Sequence, residues 1–277
     1  MRAVLTIAAD ILREAAARRW FLAFAAVLTV LHLGVLLGLR LELVDGALAA
    51  TRLFGGELSH DIRAADSVLR HVFEAATYVA FYGGLGFGVL ACSDFGPELL
   101  APGRIEHLLS LPLRRAELLA GTFLGVMTLC LLGISYGVGG FFLILCAKSG
   151  VWTLRPFLAV YLAGVAFFAL YAVMLATAVF VRSAALSAAA GGLLFVLGML
   201  AGRRDELGAL FEAGWGRELF LALSAPLPRV YELGQSAAAI AVGDAAPAEL
   251  WRWVAGTVVF GLAGLAVGTW RLSSKDF

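Results

Sequence analysis

The chain has 277 residues, 61% of them hydrophobic and only 15% charged. Its mean hydropathy is +0.91, whereas an ordinary soluble domain carries about 25% charged residues. That composition excludes a soluble cytosolic enzyme and a disordered chain, and a net charge of +1 excludes a general nucleic-acid binder, which needs a basic face.

Residues 1–19 carry Arg2, Asp10, Arg13, Glu14, Arg18 and Arg19 without the short apolar core of a signal peptide. Val4, Leu5, Ile7, Ala8, Ile11, Leu12 and Ala15 recur at helical spacing, which predicts an amphipathic helix lying on a membrane face. Six apolar runs follow, each long enough for the roughly 20 helical residues that cross the hydrocarbon core. They are Trp20–Leu39, His71–Cys92, Leu118–Ala147, Pro156–Val181, Ala184–Ala201 and Leu250–Trp270. The runs are continuous rather than alternating, which excludes a β-barrel. The expected fold is an all-α integral membrane protein, a single domain of six spans. Only Arg182 and Ser183 separate the fourth and fifth spans, so these form a tight hairpin. Arg13, Arg18 and Arg19 precede the first span and Arg114 and Arg115 precede the third, which predicts both termini on the cytoplasmic side. Residues 202–249 read as short helices on or in the outer leaflet, with Pro226 and Pro228 as breaks.

The segment between spans two and three, residues 93–117, is the most informative. Pro102-Gly103 breaks the chain. Ile105, Leu108 and Leu109 form one face of a two-turn helix, and Arg104, Glu106, His107 and Ser110 form the other. Pro112 stops it and suits the first turn of the third span. Arg114 and Arg115 sit near a helix N-terminus, where the macrodipole disfavours cations, so headgroups, topology or an acidic partner must favour them. Such a helix is either a docking handle on the inner face or an ordinary loop of solvated charges.

The letters Gly103-Arg-Ile-Glu-His-Leu-Leu-Ser-Leu-Pro112-Leu-Arg-Arg-Ala-Glu-Leu-Leu-Ala-Gly121 resemble the segment after the second span of ABC-2-type transporter permeases. There a Gly-x-Ile/Leu-Glu-x-Leu-Leu core precedes a Pro, a basic residue and a Glu. The ending Arg271-Leu-Ser-Ser-Lys-Asp-Phe277 resembles the basic-plus-Asp-Phe terminus common in that family, and the layout of helices matches it. Gly121 departs from the pattern, since a Lys is common there. The resemblance implies the membrane subunit of an ATP-driven exporter in the inner membrane, not itself an enzyme. It implies no cofactor in this chain, ATP and Mg bound by a separate ABC ATP-binding subunit, and a second permease subunit, identical or sister. It also implies that Arg104, Ile105, Glu106, Leu108, Leu109 and Pro112 contact the ATPase. The chain has no Gly-x-x-x-x-Gly-Lys-Ser/Thr loop to cradle ATP phosphates itself. A cofactor-maturation permease, of the haem-exporter or nitrous-oxide-reductase copper-site type, is the nearest alternative, and a non-transporting membrane scaffold is the alternative from another class.

Other features have plainer readings beside the functional ones. His32, in the first span, suits a pathway or a helix-to-helix hydrogen bond. Glu74, a few residues inside the outer end of span two, suits a cargo gate or a snorkelling carboxylate. Tyr78 and Tyr82 suit a pathway or packing. The glycines from Gly83 to Gly88 lie inside a span and suit close helix packing; with Ala188 and Gly192 they suggest a face for a second subunit. Cys92, Cys130 and Cys146 have no metal-ligand spacing.

Overall fold

The computed structural model describes residues 2–44, 47–53, 56–59, 63–110, 112–150, 152–210 and 214–274, and the side chains of these except 20, 40–69 and 109. Helix α1 (Arg2–Ala17) is followed after one break by α2 (Arg19–Gly38). Leu39–Val44, Ala47–Leu53, Gly56–Ser59 and Arg63–Ala64 are short strands β1–β4, joined antiparallel with β2 pairing the other three. The second apolar helix is built in pieces: α3 (Ala65–Tyr78), a π-turn over Val79–Gly83, and α4 (Gly84–Ala91). Short helices α5 (Phe95–Leu99) and α6 (Arg104–Ser110) lead to α7 (Arg115–Ser149). Then come α8 (Arg155–Val181), α9 (Ala184–Gly202), α10 (Arg204–Gly208), α11 (Trp215–Ser224), α12 (Val230–Ala241) and α13 (Leu250–Ser273).

Among the described residues six helical segments are long and apolar enough to cross a membrane: Phe21–Gly38, Arg70–Leu99, Arg115–Ser149, Arg155–Val181, Ala184–Gly202 and Leu250–Ser273. This is the layout of a multi-pass membrane protein, and its body is helical. With 35 residues, α7 measures about 52 Å at 1.5 Å per residue, well beyond a hydrocarbon core of about 30 Å. The carboxylate of Glu117 accepts the Arg114 backbone N–H at 3.0 Å at its start. Gly150, with φ 71°, ends it by donating to the Cys146 carbonyl, a left-handed cap that favours glycine.

The core forms around α8. Phe167, Leu170, Tyr171, Met174 and Val179 are all fully buried, because α7, α9, α12 and α13 surround this helix. Small residues set the spacing: a Cβ on Gly261 would lie 2.6 Å from Phe168, and one on Gly268 would lie 3.3 Å from the Ala176 backbone. Such stripes let helix backbones approach where lipid tails give no hydrophobic drive. The segment after α9 is not a simple loop, since α12 is packed on α8, α3 and α9 and buries Val230, Leu233, Ala237 and Ala241.

Candidate functional site

Helix α1 carries Ala8, Ile11 and Ala15 on one buried face, and this face lies on α7. A Cβ on Gly121 would meet the Ile7 Cβ at 2.6 Å, and one on Gly125 would meet that of Ile11 at 2.8 Å. The Gly-x-x-x-Gly spacing therefore forms the seat of α1. A long side chain at Gly121 would occupy the place of Ile7.

From that seat α1 projects a charged edge toward the connection between the second and third apolar helices. Arg18 donates to Glu14 at 2.7 Å, and also to Asp94 and Glu98. Its guanidinium lies 4.4 Å above the Phe95 ring. Arg104, in the first turn of α6, donates to the other oxygen of Glu14 at 2.7 Å and sits 4.0 Å from Asp10. Glu14 thus joins both arginines. Burial works to raise its pKa, but hydrogen bonds led by that of Arg104 win and hold the carboxyl at about 2. Burial works against the charge of Arg18 as well, yet the surrounding carboxylates raise its pKa. In Arg104 the hydrogen bond to Glu14 leads, and the pKa again rises. Both guanidinium groups stay charged. The second oxygen of Asp94, Oδ1, is buried with no partner among the described residues. One ionic node therefore ties α1 to α6 and to the last turns of the second apolar helix.

The sequence-predicted docking residues divide in this setting. Ile105 is 2% exposed and belongs to the chain's own core, in one cluster with Leu99, Leu100 and Leu118, so its side chain has no surface to offer. Arg104 is engaged with Glu14. Leu108 is half-buried and packed against the core. Glu106, His107, Ser110 and Pro112 are exposed. The Leu109 side chain, residue 111 and the terminal Lys275-Asp276-Phe277 lie outside the described residues. The free face of α6 is thus its polar one. Asp10, Glu14 and Arg18 read only as charges of the first helix and its topology, and neither they nor Asp94 and Glu98 stood out as one site. The spacing of four residues in Glu14/Arg18 is a helical-pair signal, and that in Asp94/Glu98 sets two carboxylates on one helical face, but nothing in the letters joins the two.

The intramembrane candidates fall in two places. The Nε2–H of His32 donates to the Gly137 carbonyl at 2.8 Å, and its ring meets Tyr136 edge-on at 5.7 Å; it joins α2 to α7. Tyr78 and Tyr82 lie elsewhere, at the π-turn, and are parallel with centroids 6.1 Å apart. Tyr78 donates to the Gln235 carbonyl oxygen at 2.6 Å and Tyr82 to the Tyr231 carbonyl at 3.4 Å. Glu74 is half-buried one turn before Tyr78. Beside them Arg203 covers the Tyr231 ring at 4.7 Å, and Arg229 binds Glu232 at 3.2 Å and the Ala201 carbonyl at 2.8 Å. The tyrosines therefore join α3 and the π-turn to α12. Of the small residues suited to a second subunit, Gly88 is covered by the Phe167 ring, whereas Gly84 and Gly192 face open space. Among the described residues no group of three His, Cys, Asp or Glu could hold a metal. No protein-family model and no curated protein matches the chain.

Proposed function

We propose that this chain is the membrane subunit of an ATP-driven exporter of the ABC-2 permease type, set in the inner membrane with both termini in the cytoplasm. The observation that carries the reading is the Arg18–Glu14–Arg104 node, which fastens the loop helix α6 to α1 and to the end of the second apolar helix. A push on α6 would reach α1 and the second transmembrane helix through ion pairs rather than dissipate in a loose loop. The partner is a separate ATP-binding subunit that meets α6 on its exposed side, through Glu106, His107 and Ser110. Nucleotide-driven closure of a pair of such subunits would rock a pair of permeases between inward- and outward-open states. The six apolar helices, the sequence pattern from Gly103 to Glu117 and the want of a phosphate-cradling loop support the same assignment.

Purification of the full chain from native membranes tests it. A companion carrying a Gly-x-x-x-x-Gly-Lys-Ser/Thr loop should co-purify and hydrolyse ATP. Glu106→Lys reverses a charge on the exposed face of α6 and leaves the core contacts of Ile105 and Leu108 intact, and so should weaken that association by about tenfold or more while membrane levels stay normal. A chain that purifies without any ATPase, or a variant that keeps it, would favour the scaffold reading instead.

A further inference from the structure

A cleft of about 320 Å³ opens between α1 and α6. Its floor is apolar, with Ile7 from α1, Leu108 from α6 and Leu113 just before α7. Its charged lining residues are Arg13, Arg104 and Asp10, two cations to one carboxylate. The two arginines are not equivalent. Arg104 is committed on one edge to Glu14, although a guanidinium has five N–H donors. Arg13 is exposed and forms no ion pair among the described residues.

The place of the cleft in the fold says what surrounds it. Leu99, which also lines it, is the last residue of the second apolar segment, and Leu113 stands two residues before the third begins. The cleft is therefore at the boundary between hydrocarbon and water, where lipid headgroups lie. The same face carries Arg2, Arg19, Arg114 and Arg115, so it attracts anions.

We propose that this cleft holds one anionic phospholipid, its phosphate at Arg13 and the free edge of Arg104 and its first acyl carbons against Ile7, Leu108 and Leu113. Asp10 opposes this only weakly, because its side chain is 65% exposed and water and salt screen its carboxylate. The lipid would bridge α1 and α6 from outside, as Glu14 bridges them from inside. The inference needs only a membrane and stands apart from the transport reading.

The test uses the full chain in phosphatidylcholine nanodiscs with spin-labelled phosphatidylglycerol or spin-labelled phosphatidylcholine as probe. The wild-type protein should prefer phosphatidylglycerol. Arg13→Gln should lower that preference about fivefold. Arg114→Gln, an exposed cation of the same face outside the cleft, should lower it much less. Leu108→Trp, which fills the floor, should also remove the preference while leaving both cations in place. Equal losses in Arg13→Gln and Arg114→Gln would mean diffuse attraction and would overturn the site. Full displacement of the probe by inorganic phosphate would assign the cleft to a soluble anion and would overturn it too.

Discussion

Glu14 and Arg18 carry the heaviest electrostatic duty of any residues on the α1 side. Arg18 is 14% exposed and faces three carboxylates. Removing one side of a buried ion pair costs about 3–5 kcal/mol. Asp94 and Glu98 keep 34% and 45% exposure, which lets water recover part of the loss, so Arg18→Gln should destabilise by about 2 kcal/mol. Thermal unfolding in detergent would measure it. Glu14 also sets a pH window. Its pKa in the fold is about 2, below the ordinary 4.5, so its contribution is complete above about 4.5 and is lost as pH falls toward 2. Protection of the α1 amides relative to the unfolded exchange rate should fall over that interval, and Glu14→Gln should reduce this pH dependence to the part left by Glu98, whose carboxyl burial pushes above its ordinary value. At the entrance to α6, Gly103 has φ +83° and open space around it. Gly103→Ala would therefore meet only backbone strain, of about 1 kcal/mol, and should speed exchange in residues 104–110.

At the scale of elements, pairing and not helix formation was hidden in the letters. Apolar runs and their breaks mark the long helices, since a helix in lipid must be apolar over some 20 residues. The seat of α1 on α7 joins Ile7 to Gly121 and Ile11 to Gly125, positions over a hundred residues apart, and only the small-x-x-x-small spacing hints at it. Gly121 read as a departure from a family pattern; packing explains it, because Ile7 fills the space a side chain would take. Gly121→Leu should accordingly lift α1 off α7 and break the ionic node with it, which a gain in thiol reactivity of a cysteine placed at the buried position 8 would detect. Ile105 looked like a docking residue because its face of α6 is apolar, yet that face is turned into the chain's own core. Amphipathicity shows that a face is buried, not against what. The π-turn at Val79–Gly83 had no signal beyond its neighbouring glycines, and the short strands of residues 39–64 had none that stood out from an outer connection.

In the molecule as a whole, α1, α6 and the C-terminal end of α13 lie at one end of the apolar helices, and the strands and α10–α11 at the other. Arg115 supports the first grouping directly, donating to the Leu272 and Ser273 carbonyls at 3.0 Å at the end of α13. Cysteines introduced at Thr51 and Ala209 should react with an impermeant thiol reagent in intact cells, and one at Ser110 only after permeabilisation. Reaction of Ser110→Cys in intact cells would reverse the orientation. The central claim is that α6, braced by the node, receives force from an ATP-hydrolysing partner. Its most direct measurement is the ATPase rate of the purified assembly in nanodiscs as the brace is cut. Arg104→Gln leaves the exposed residues Glu106, His107 and Ser110 unchanged but frees α6 from Glu14. The account predicts that the partner still binds and still hydrolyses ATP, while nucleotide no longer alters thiol accessibility in the apolar helices. Nucleotide-dependent accessibility that persists unchanged in Arg104→Gln would contradict it.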